Sequence, residues 1–355
     1  MSNKILDNIK WFIELGNNGT VCGEKRETIV SSRIRVARNL DDIPFEMKMK
    51  KKDAQRLIKL VRSLIDKKFC GRYFDFQEIT SLEKESLLEC HIVSPVFITA
   101  DRPAGVFITN KGNISIMINE EDHLRIQGLS CGLNLVDISS EVFNVEEAIG
   151  KELGYAFNET YGFVTSCPTN LGTGLRASVL LHLPGLVFTN EVEKVLKGAI
   201  QVGMAVRGIF GEGTEIKGNL FQISNQHTLG VKEEDLIETI TKITHMIIDI
   251  EEKARDVILT KARYEFEDKI FRSLAVLKSA RMISTEEVLN LLSAVRLGVG
   301  AGIIKDIKLD TLNEILLVSR PANIQLYFGE ILEEHERDFK RAEYIRNRLS
   351  ANSKQ

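Results

Sequence analysis

The segment Cys167-Pro168-Thr169-Asn170-Leu171-Gly172-Thr173-Gly174-Leu175-Arg176 brings a thiol, an amide, two glycines and an arginine together in one short run. Glycine lets backbone approach a ligand closely. Arginine offers a planar fork of donors that suits phosphate, and a thiol beside cations can ionise to a thiolate. A Pro/Gly turn with a buried cysteine is the simpler explanation of any single residue here. The complete decapeptide favours a ligand site, because no ordinary helix or strand needs this combination.

The composition of the whole chain is that of a globular protein. Its 355 residues are 43% apolar and 27% charged, and 47 basic against 50 acidic residues give a net charge of −3. The length predicts one large domain or two ordinary ones, and the charge balance argues against direct nucleic-acid binding. An odd count of five cysteines without a C-x-x-C pair favours reduced thiols and a cytoplasmic protein. With no signal peptide and no long apolar stretch, no membrane association is predicted.

Short runs rich in β-branched and aromatic residues predict a sheet in the first part of the chain. They lie between about residues 88 and 225, separated by turns and helical segments. The pattern predicts an α+β fold in which a largely antiparallel sheet is flanked by helices. Asn110-Lys111-Gly112 is typical of a hairpin turn. The predicted strands are His91–Thr99, Gly105–Thr109, Asn113–Ile118, Gly162–Thr165, Ala177–His182, Met204–Phe210 and Asn219–Ser224.

Helical periodicity dominates after about residue 231, where strand signals stop. It predicts an all-α C-terminal domain, with domain bounds of 1–250 and 251–355. Ser284 with Glu287 fits a capping box, and Asp310 can cap a helix that ends before Pro321. The helical segments predicted along the chain are 3–15, 51–69, 141–160, 190–202, 232–280, the two capped helices and 333–350.

Arginines take the place of the common phosphate-binding signatures. The chain has neither a G-x-x-x-x-G-K-[ST] P-loop nor the H-R-D and D-F-G set of protein kinases. In Ser31–Asn39 the residues Arg33 and Arg35 are two apart, so on an extended segment both would face one side. Arg38, three residues after Arg35, would not lie on that face. Adjacent like charges favour an anionic ligand, and a solvated basic edge strand explains this segment alone about equally well.

Three carboxylates follow one predicted strand, in Asn119-Glu120-Glu121-Asp122-His123-Leu124-Arg125. Consecutive carboxylates usually form a solvated turn, so this run alone is a weak sign of a site. Two later segments combine glycines with polar side chains: Arg207–Gly213, which begins with an arginine, and Gly218–Asn225.

Together these segments resemble the ATP:guanidino phosphotransferase family, which includes creatine and arginine kinases. The resemblance rests on the Ser-x-Arg-x-Arg motif at residue 31, the Asn-Glu-Glu-Asp-His turn, the decapeptide and the Arg-Gly to Ser-Asn stretch, in the family's order over roughly residues 25–250. It implies the phosphagen kinase catalytic fold, whose sheet is of the glutamine-synthetase-like kind.

The resemblance implies an ATP site without a P-loop. In the family, arginines clamp the ATP phosphates, and phosphoryl transfer is mostly positioning and charge stabilisation. Mg²⁺ would be held through phosphates and water, so no metal ligand in the protein is predicted. The nucleotide residues carried over are Ser31, Ser32, Arg33, Ile34, Arg35, His91, Arg125, Arg176, Ala177, Ser178, Val179, Leu180, Arg207, Gly208, Ile209, Phe210, Gly211 and Glu212. For His91, a half-buried histidine on a strand is the alternative.

The acceptor side needs different chemistry. A guanidinium group has a pKa above about 12 and cannot attack phosphorus while protonated. Carboxylates can align its N–H groups and accept a proton as attack proceeds. The resemblance assigns this work to Glu120 and Glu121 without separating their roles. It implies that Asp122 orients the turn or its partners, and that Cys167 contacts the acceptor as a thiolate.

The place of the arginine motif in the chain indicates the kind of acceptor. Small-molecule kinases of the family carry an extra helical domain before this motif, which here begins at residue 31. The layout resembles the bacterial members that phosphorylate arginine side chains in proteins, and it predicts an open acceptor site. That resemblance implies protein substrates with exposed arginines, a zinc-binding activator protein, a heat-shock repressor as a client and a Clp-type protease downstream.

A second motif lies near the C-terminus. Arg337-Asp338-Phe339-Lys340-Arg341-Ala342 fits an R-D-x-x-R-A pattern that forms an allosteric phosphoarginine pocket in those members. An arginine can hold the phosphoryl group and an aspartate the guanidino nitrogens. By pattern alone, a charged helix face is the better explanation. The resemblance assigns Arg337, Asp338 and Arg341 to the pocket and implies a homodimer formed through the C-terminal domain.

Two other functions are open at the level of sequence. A small-molecule guanidino kinase would share the motifs but phosphorylate free arginine or creatine as fast as protein. A phosphoarginine-binding adaptor would depend on Arg337 and Asp338 rather than on Cys167 or Glu121.

Overall fold

A computed structural model describes residues 22–208 and 217–351 of the protein. The strands in these ranges are β1 (Ile29–Arg38), β2 (Gly71–Asp75), β3 (Gly105–Thr109), β4 (Ile114–Ile118), β5 (Leu124–Cys131), β6 (Phe157–Asn158), β7 (Gly162–Phe163), β8 (Leu175–His182), β9 (Met204–Gly208) and β10 (Leu220–Asn225). Eight of these described strands form one antiparallel sheet in the order β2-β3-β4-β5-β1-β8-β10-β9, while β6 pairs with β7. β1 therefore lies near the middle of the sheet.

Helices cover one face of the sheet and form the C-terminal part of the chain. In the described ranges they are α1 (Lys51–Lys68), α2 (Ser81–Glu89), α3 (Pro95–Ile98), α4 (Leu135–Leu153), α5 (Pro184–Phe188), α6 (Val192–Gln201), α7 (Glu233–Lys261), α8 (Arg263–Ser279), α9 (Thr285–Gly300), α10 (Leu309–Val318), α11 (Pro321–Phe328) and α12 (Glu334–Ala351). Short 3-10 turns occur at Glu46–Lys48 and Pro168–Asn170. No described helix has the length and apolarity needed to cross a membrane.

Apolar residues and arginines alternate along β1. One face of the sheet, here called the dry face, is therefore apolar and buried, and the opposite face is called the open face. Ile34 and Val36 are fully buried, whereas Arg33 and Arg35, which alternate with them, are half-buried. Successive side chains of a strand point to opposite faces, and the dry face packs against the apolar side of α4. The arginines therefore lie on the face that α4 does not cover.

The C-terminal helices have a core of their own. It runs from Ile258 near the end of α7 to Leu349 in α12, while α7 residues up to Ala254 belong to the core of the sheet. The helix α7 thus continues through residue 250, where the sequence places its domain boundary, and contributes to both cores. The bounds 1–250 and 251–355 stay a prediction.

The predicted α+β fold is confirmed, including the hairpin turn between β3 and β4, where Gly112 has a φ of 70°. The strand predicted at His91–Thr99 is wrong: a turn leads into α3, whose N-cap Ser94 accepts a hydrogen bond from the Phe97 N–H at 3.1 Å. Ser-Pro is a typical helix start. The helix predicted at 3–15 lies outside the described residues.

Three helix predictions need correction. The segment 232–280 contains two helices, because the backbone breaks at Ala262 (φ −138°, ψ 39°). The segment 141–160 corresponds to α4, which begins at Leu135 and ends before Gly154, whose φ is 67°. Asp310 does not cap α10, since Lys308 occupies the cap position and the Asp310 carboxylate pairs with Arg26.

Two of the cysteines are joined. Cys22 and Cys131 form a disulfide, so the expectation of five reduced thiols is wrong for this pair. Cys70, Cys90 and Cys167 are free thiols. The odd cysteine count could not reveal the pair, because the two residues are distant in sequence and meet only through the course of the chain beside β5.

Glu251 links α7 to the short helix α5, and its loss is expected to destabilise the fold. Its carboxylate accepts hydrogen bonds from the Gly185 and Leu186 N–H groups at 2.9 Å each and from Arg255 Nε at 2.6 Å, with Glu251 fully buried. Glu251→Ala would leave the buried Arg255 without its carboxylate partner, and breaking a buried ion pair in this way costs about 3–5 kcal/mol. Urea unfolding should show this loss.

The neighbouring Glu252 is the matched control for that prediction. It pairs with Lys25 at 2.8 Å in a partly exposed position, so Glu252→Ala is expected to cost about 0–1 kcal/mol. Equal losses for the two variants would contradict the role given to Glu251.

Candidate functional site

The sheet register places five arginines on the open face. Arg35 of β1 lies opposite Arg176 of β8, and Arg33 lies one pleat away on the same face. Arg125 is two residues from Gln127, which pairs with Arg35 across β5. Arg207 of β9 pairs with Gln222 of β10, in line with this face. Four strands that are distant in sequence thus bring the predicted phosphate-binding arginines into one cluster.

Most hydrogen-bond partners of these arginines are neutral. Arg33 donates to Ser178 Oγ at 3.3 Å and Gln222 Oε1 at 3.1 Å, and Arg176 donates to Ser224 Oγ at 3.1 Å. The Arg35 guanidinium has no hydrogen-bond or ion-pair partner among the described residues. The cluster therefore has more positive charge than the nearby side chains neutralise.

The electrostatics of the cluster favour an anion. Burial, followed by the charges of Arg125, Arg176 and Arg207, lowers the pKa of Arg33 to about 10. Burial and the charges of its arginine neighbours hold the pKa of Arg35 well below its usual value. A ligand with several negative charges would relieve this repulsion, because it offsets both burial and like charge.

The two adjacent glutamates differ in their surroundings. Glu120 is buried, forms an ion pair with Arg125, and accepts hydrogen bonds from Ser94 Oγ at 2.5 Å and from the Glu121 N–H at 3.1 Å. The Glu121 carboxylate is half-buried and has no hydrogen-bond or ion-pair partner in the part of the chain that the structure describes. Of these two described glutamates, Glu121 is therefore the one whose carboxylate is free to meet a ligand.

Asp122 joins the carboxylate turn to the cysteine loop. Its Oδ1 accepts hydrogen bonds from Asn39 Nδ2 at 2.7 Å and from the Ser166 N–H at 2.6 Å. Since Glu121 precedes Asp122 and Cys167 follows Ser166, this one carboxylate holds the two candidate acceptor groups near each other. These contacts suit an orienting role, and that role of Asp122 stays a prediction.

The cysteine loop is shaped by its glycines. Gly172 has a φ of 105°, and a Cβ there would lie 2.4 Å from the Thr228 carbonyl oxygen. Gly174 has a φ of 60°, and its Cβ would lie 2.7 Å from the Ala37 carbonyl oxygen. The glycines thus permit close packing on neighbouring backbone, rather than the approach of a ligand that the sequence suggested. The Cys167 thiol lies 3.0 Å from Thr169 Oγ1.

A small pocket lies at the other end of the arginine cluster. It is lined by Ser31, Arg33, His91, Leu129, Ser178, Leu180 and Gln222. His91 lies in the turn after α2 with a φ of 58°, so its predicted strand position is wrong. Burial, then Arg33 and Arg320, lower the pKa of His91 to about 4. A neutral imidazole beside two leucines suits an uncharged ring more than a phosphate.

The remaining predicted nucleotide residues lie in three different places. One group has side chains on the dry face of the sheet, so that only their backbone positions adjoin the cluster: Ser32, Ile34, Ala177 and Val179. Ile209, Phe210, Gly211 and Glu212 lie outside the described residues. Gly208 is the exposed last residue of β9.

Comparison with known proteins identifies the family of the chain. Residues 53–254 match the family described as ATP:guanido phosphotransferase, C-terminal catalytic domain, and residues 263–355 match the protein-arginine kinase McsB C-terminal domain. The protein-arginine kinase of Clostridium kluyveri is 44% identical over 331 residues, which are 92% of this chain and 95% of that protein. The chain belongs to the protein-arginine kinase family. The protein-arginine kinase of Bacillus cereus is 40% identical over 92% of this chain and 94% of its own length.

Solved structures show the fold that the family shares with phosphagen kinases. The duplicated taurocyamine kinase from Schistosoma mansoni, with bound transition-state analogue components, matches with a TM-score of 0.59 at 27% identity. That match covers 66% of this chain and 34% of the duplicated kinase. Lombricine kinase matches with a TM-score of 0.59 at 22% identity over 67% of this chain and 70% of its own, a likeness of fold alone.

In this member of the protein-arginine kinase family, the C-terminal motif residues lie together on α12. Arg341 is buried and donates to the carbonyl oxygens of Ser319 at 2.6 Å and Ile283 at 2.8 Å, besides pairing with Asp338. Arg337 donates to the Leu332 carbonyl oxygen at 2.9 Å. The Arg341 guanidinium therefore ties α12 to the segments before α9 and after α10.

Sequence reasoning missed several residues that hold the predicted site residues in place. Ser94 holds Glu120, Gln222 holds Arg33, and Ser224 holds Arg176. Arg38 donates to the Thr173 carbonyl oxygen at 2.9 Å and pairs with Glu146, and so fixes the cysteine loop against β1. The two-residue spacing of Gln222 and Ser224 within a predicted strand was the available signal, since it puts both on one face.

Proposed function

We propose that the protein transfers the γ-phosphoryl group of Mg²⁺-ATP to a guanidino nitrogen of arginine residues in proteins. One observation carries this proposal: an incompletely neutralised arginine cluster is joined through the Arg125–Glu120 ion pair to the turn that carries the free carboxylate of Glu121, and Asp122 ties that turn to the loop of Cys167. Membership in the protein-arginine kinase family supports it.

We assign ATP to the open face of the sheet. Its phosphates would lie among Arg33, Arg35, Arg125, Arg176 and Arg207, where guanidinium forks can bind oxygens in pairs. The pocket of His91 suits the nucleoside, because neutral and apolar groups line it. Mg²⁺ arrives as part of the substrate, held by phosphate oxygens and water.

The two glutamates have different roles in the acceptor step. A guanidino nitrogen attacks the γ-phosphorus, the bond from that phosphorus to the ADP oxygen breaks, and the proton released from nitrogen passes to Glu121. Glu121 suits this because its carboxylate has no described partner, while Glu120 is engaged by Arg125 and Ser94. Cys167 would contact the acceptor guanidinium and help to orient it.

The cellular part of the proposal rests on the family resemblance. It includes a cytoplasmic homodimer formed through the C-terminal helices, a phosphoarginine pocket at Arg337, Asp338 and Arg341, and a zinc-binding activator protein. It also includes clients such as a heat-shock repressor, which a Clp-type protease would degrade after phosphorylation.

A comparison of acceptors tests the reaction. ADP release from Mg²⁺-ATP is measured with an arginine-bearing protein, with the same protein after conversion of its surface arginines to lysine, and with free arginine. We expect release to require the arginine-bearing protein. Release as fast with free arginine would instead indicate a small-molecule guanidino kinase, and release as fast with the lysine form would contradict the proposal.

A further inference from the structure

The end of α2 is held by the C-terminal helices. The Glu89 carboxylate, on the last residue of α2, accepts hydrogen bonds from the Ala322 N–H at 2.9 and 3.0 Å and from the Asn323 N–H at 2.9 Å. These N–H groups belong to the first turn of α11, where no earlier turn supplies them with acceptors. A side chain of the sheet-containing part thus caps a helix of the C-terminal part.

A second set of contacts reinforces this junction. Ser86, one turn before Glu89, donates from Oγ to Asn323 Oδ1 at 2.6 Å, and Asn323 Nδ2 donates to Cys90 Sγ at 3.7 Å. Asn323 is fully buried. The charge of Arg320, which occupies the N-cap of α11, acts on both Glu89 and His91. The position of α2 therefore depends on α11.

The nucleotide pocket begins two residues after Glu89. The His91 N–H donates to the Leu88 carbonyl oxygen at 2.9 Å, so His91 closes α2 in a left-handed conformation that non-glycine residues rarely adopt. Gln127 Nε2 donates to the His91 carbonyl oxygen at 2.7 Å from the sheet. The imidazole then lines the pocket with Arg33. Release of the α2 end would remove one of these two supports of His91.

We propose that Glu89 is a positioning residue for the nucleotide. By capping α11 it fixes the end of α2 and hence His91, so the C-terminal helices help to set the affinity of the nucleotide pocket on the sheet. Glu89 and Asn323 do not line the pocket themselves. The inference rests on the proposed function, because it takes the His91 pocket as the site of the nucleoside.

Direct binding of Mg²⁺-ATP tests the inference. Glu89→Ala is expected to raise the calorimetric dissociation constant about 5- to 150-fold, the usual range of coupling between two sites, while kcat at saturating ATP stays near that of wild type. Glu89→Gln keeps an acceptor oxygen at the same length and should restore part of the affinity. Asn323→Ala, which loosens the junction from the other side, should also raise the dissociation constant.

Glu85→Ala is the matched control. Glu85 is an exposed residue of the same helix, one turn earlier, and should bind ATP as wild type does. If the wild type binds Mg²⁺-ATP and both Glu89→Ala and Asn323→Ala bind it equally well, this inference is overturned and the proposed function is not. Failure of the wild type to bind Mg²⁺-ATP would overturn the proposed function and this inference with it. Circular dichroism checks that each variant folds. If Glu89→Ala does not fold, the dissociation constants of Glu89→Gln and Asn323→Ala for Mg²⁺-ATP test the inference instead.

Discussion

Replacement of Glu121 by glutamine is expected to lower kcat about 10²- to 10⁴-fold, the range that a general base contributes. The amide keeps the size of the side chain and can still accept a hydrogen bond, but it cannot take the proton from the attacking guanidino nitrogen. Because Glu121 has no described partner, the stability of the fold should not change. Affinity for Mg²⁺-ATP should also stay near that of wild type.

The adjacent Glu120 provides the contrast. Glu120→Gln breaks a buried ion pair with Arg125, and loss of a partner from such a pair costs about 3–5 kcal/mol. Thermal unfolding should therefore separate the two substitutions, and kcat with a protein substrate should identify the base. A kcat close to wild type in Glu121→Gln would contradict the assignment of the proton to this residue.

Removal of Arg35 is expected to lower catalysis about as much as the Glu121 substitution does. It is not expected to destabilise the fold. A single arginine that stabilises the transition state of phosphoryl transfer is worth about 10³- to 10⁵-fold in rate, so kcat/KM for ATP should fall by that order in Arg35→Ala. The folded state loses no hydrogen bond among the described residues, and the repulsion from Arg33, Arg125 and Arg176 that it loses is greater than the attraction of Glu120. The melting temperature should be unchanged or raised.

Two variants control for this result. Arg35→Lys keeps the charge but loses the planar fork, and should fall between wild type and Arg35→Ala. Arg72→Ala removes an exposed arginine from β2 at the far edge of the same sheet and should leave kcat/KM unchanged. An Arg35→Ala variant that lost stability but kept its activity would show that Arg35 serves the fold and not the nucleotide.

Sequence patterns predicted the parts of the fold that local rules decide. The β3–β4 hairpin follows from two apolar runs around Asn110-Lys111-Gly112, and α9 begins at its predicted N-cap Ser284, which accepts from the Glu287 N–H at 3.1 Å. Strand β5 was missed because Arg125 and Gln127 interrupt its apolar pattern. Both residues face the site, so the interruption was a functional signal.

The site was predictable as a set of residues but not as an arrangement. The motifs indicated Arg33, Arg35 and the glutamates, yet the division between Glu120 and Glu121 depends on which carboxylate the turn between β4 and β5 directs at Arg125. Likewise, the sequence shows Glu89 only as an acidic residue at the end of a helix. Its partner α11 lies more than two hundred residues later in the chain and is known only from the structure. Such partners are set by tertiary contacts, for which local sequence carries no signal.

The identity of the phosphorylated residue tests the central claim most directly. The protein is incubated with Mg²⁺-ATP and a protein substrate that has exposed arginine, serine, threonine and tyrosine, and the product is analysed by mass spectrometry under conditions that preserve acid-labile phosphate. We expect phosphate on arginine with wild type and its loss with Glu121→Gln. Phosphate found only on serine, threonine or tyrosine would contradict the account.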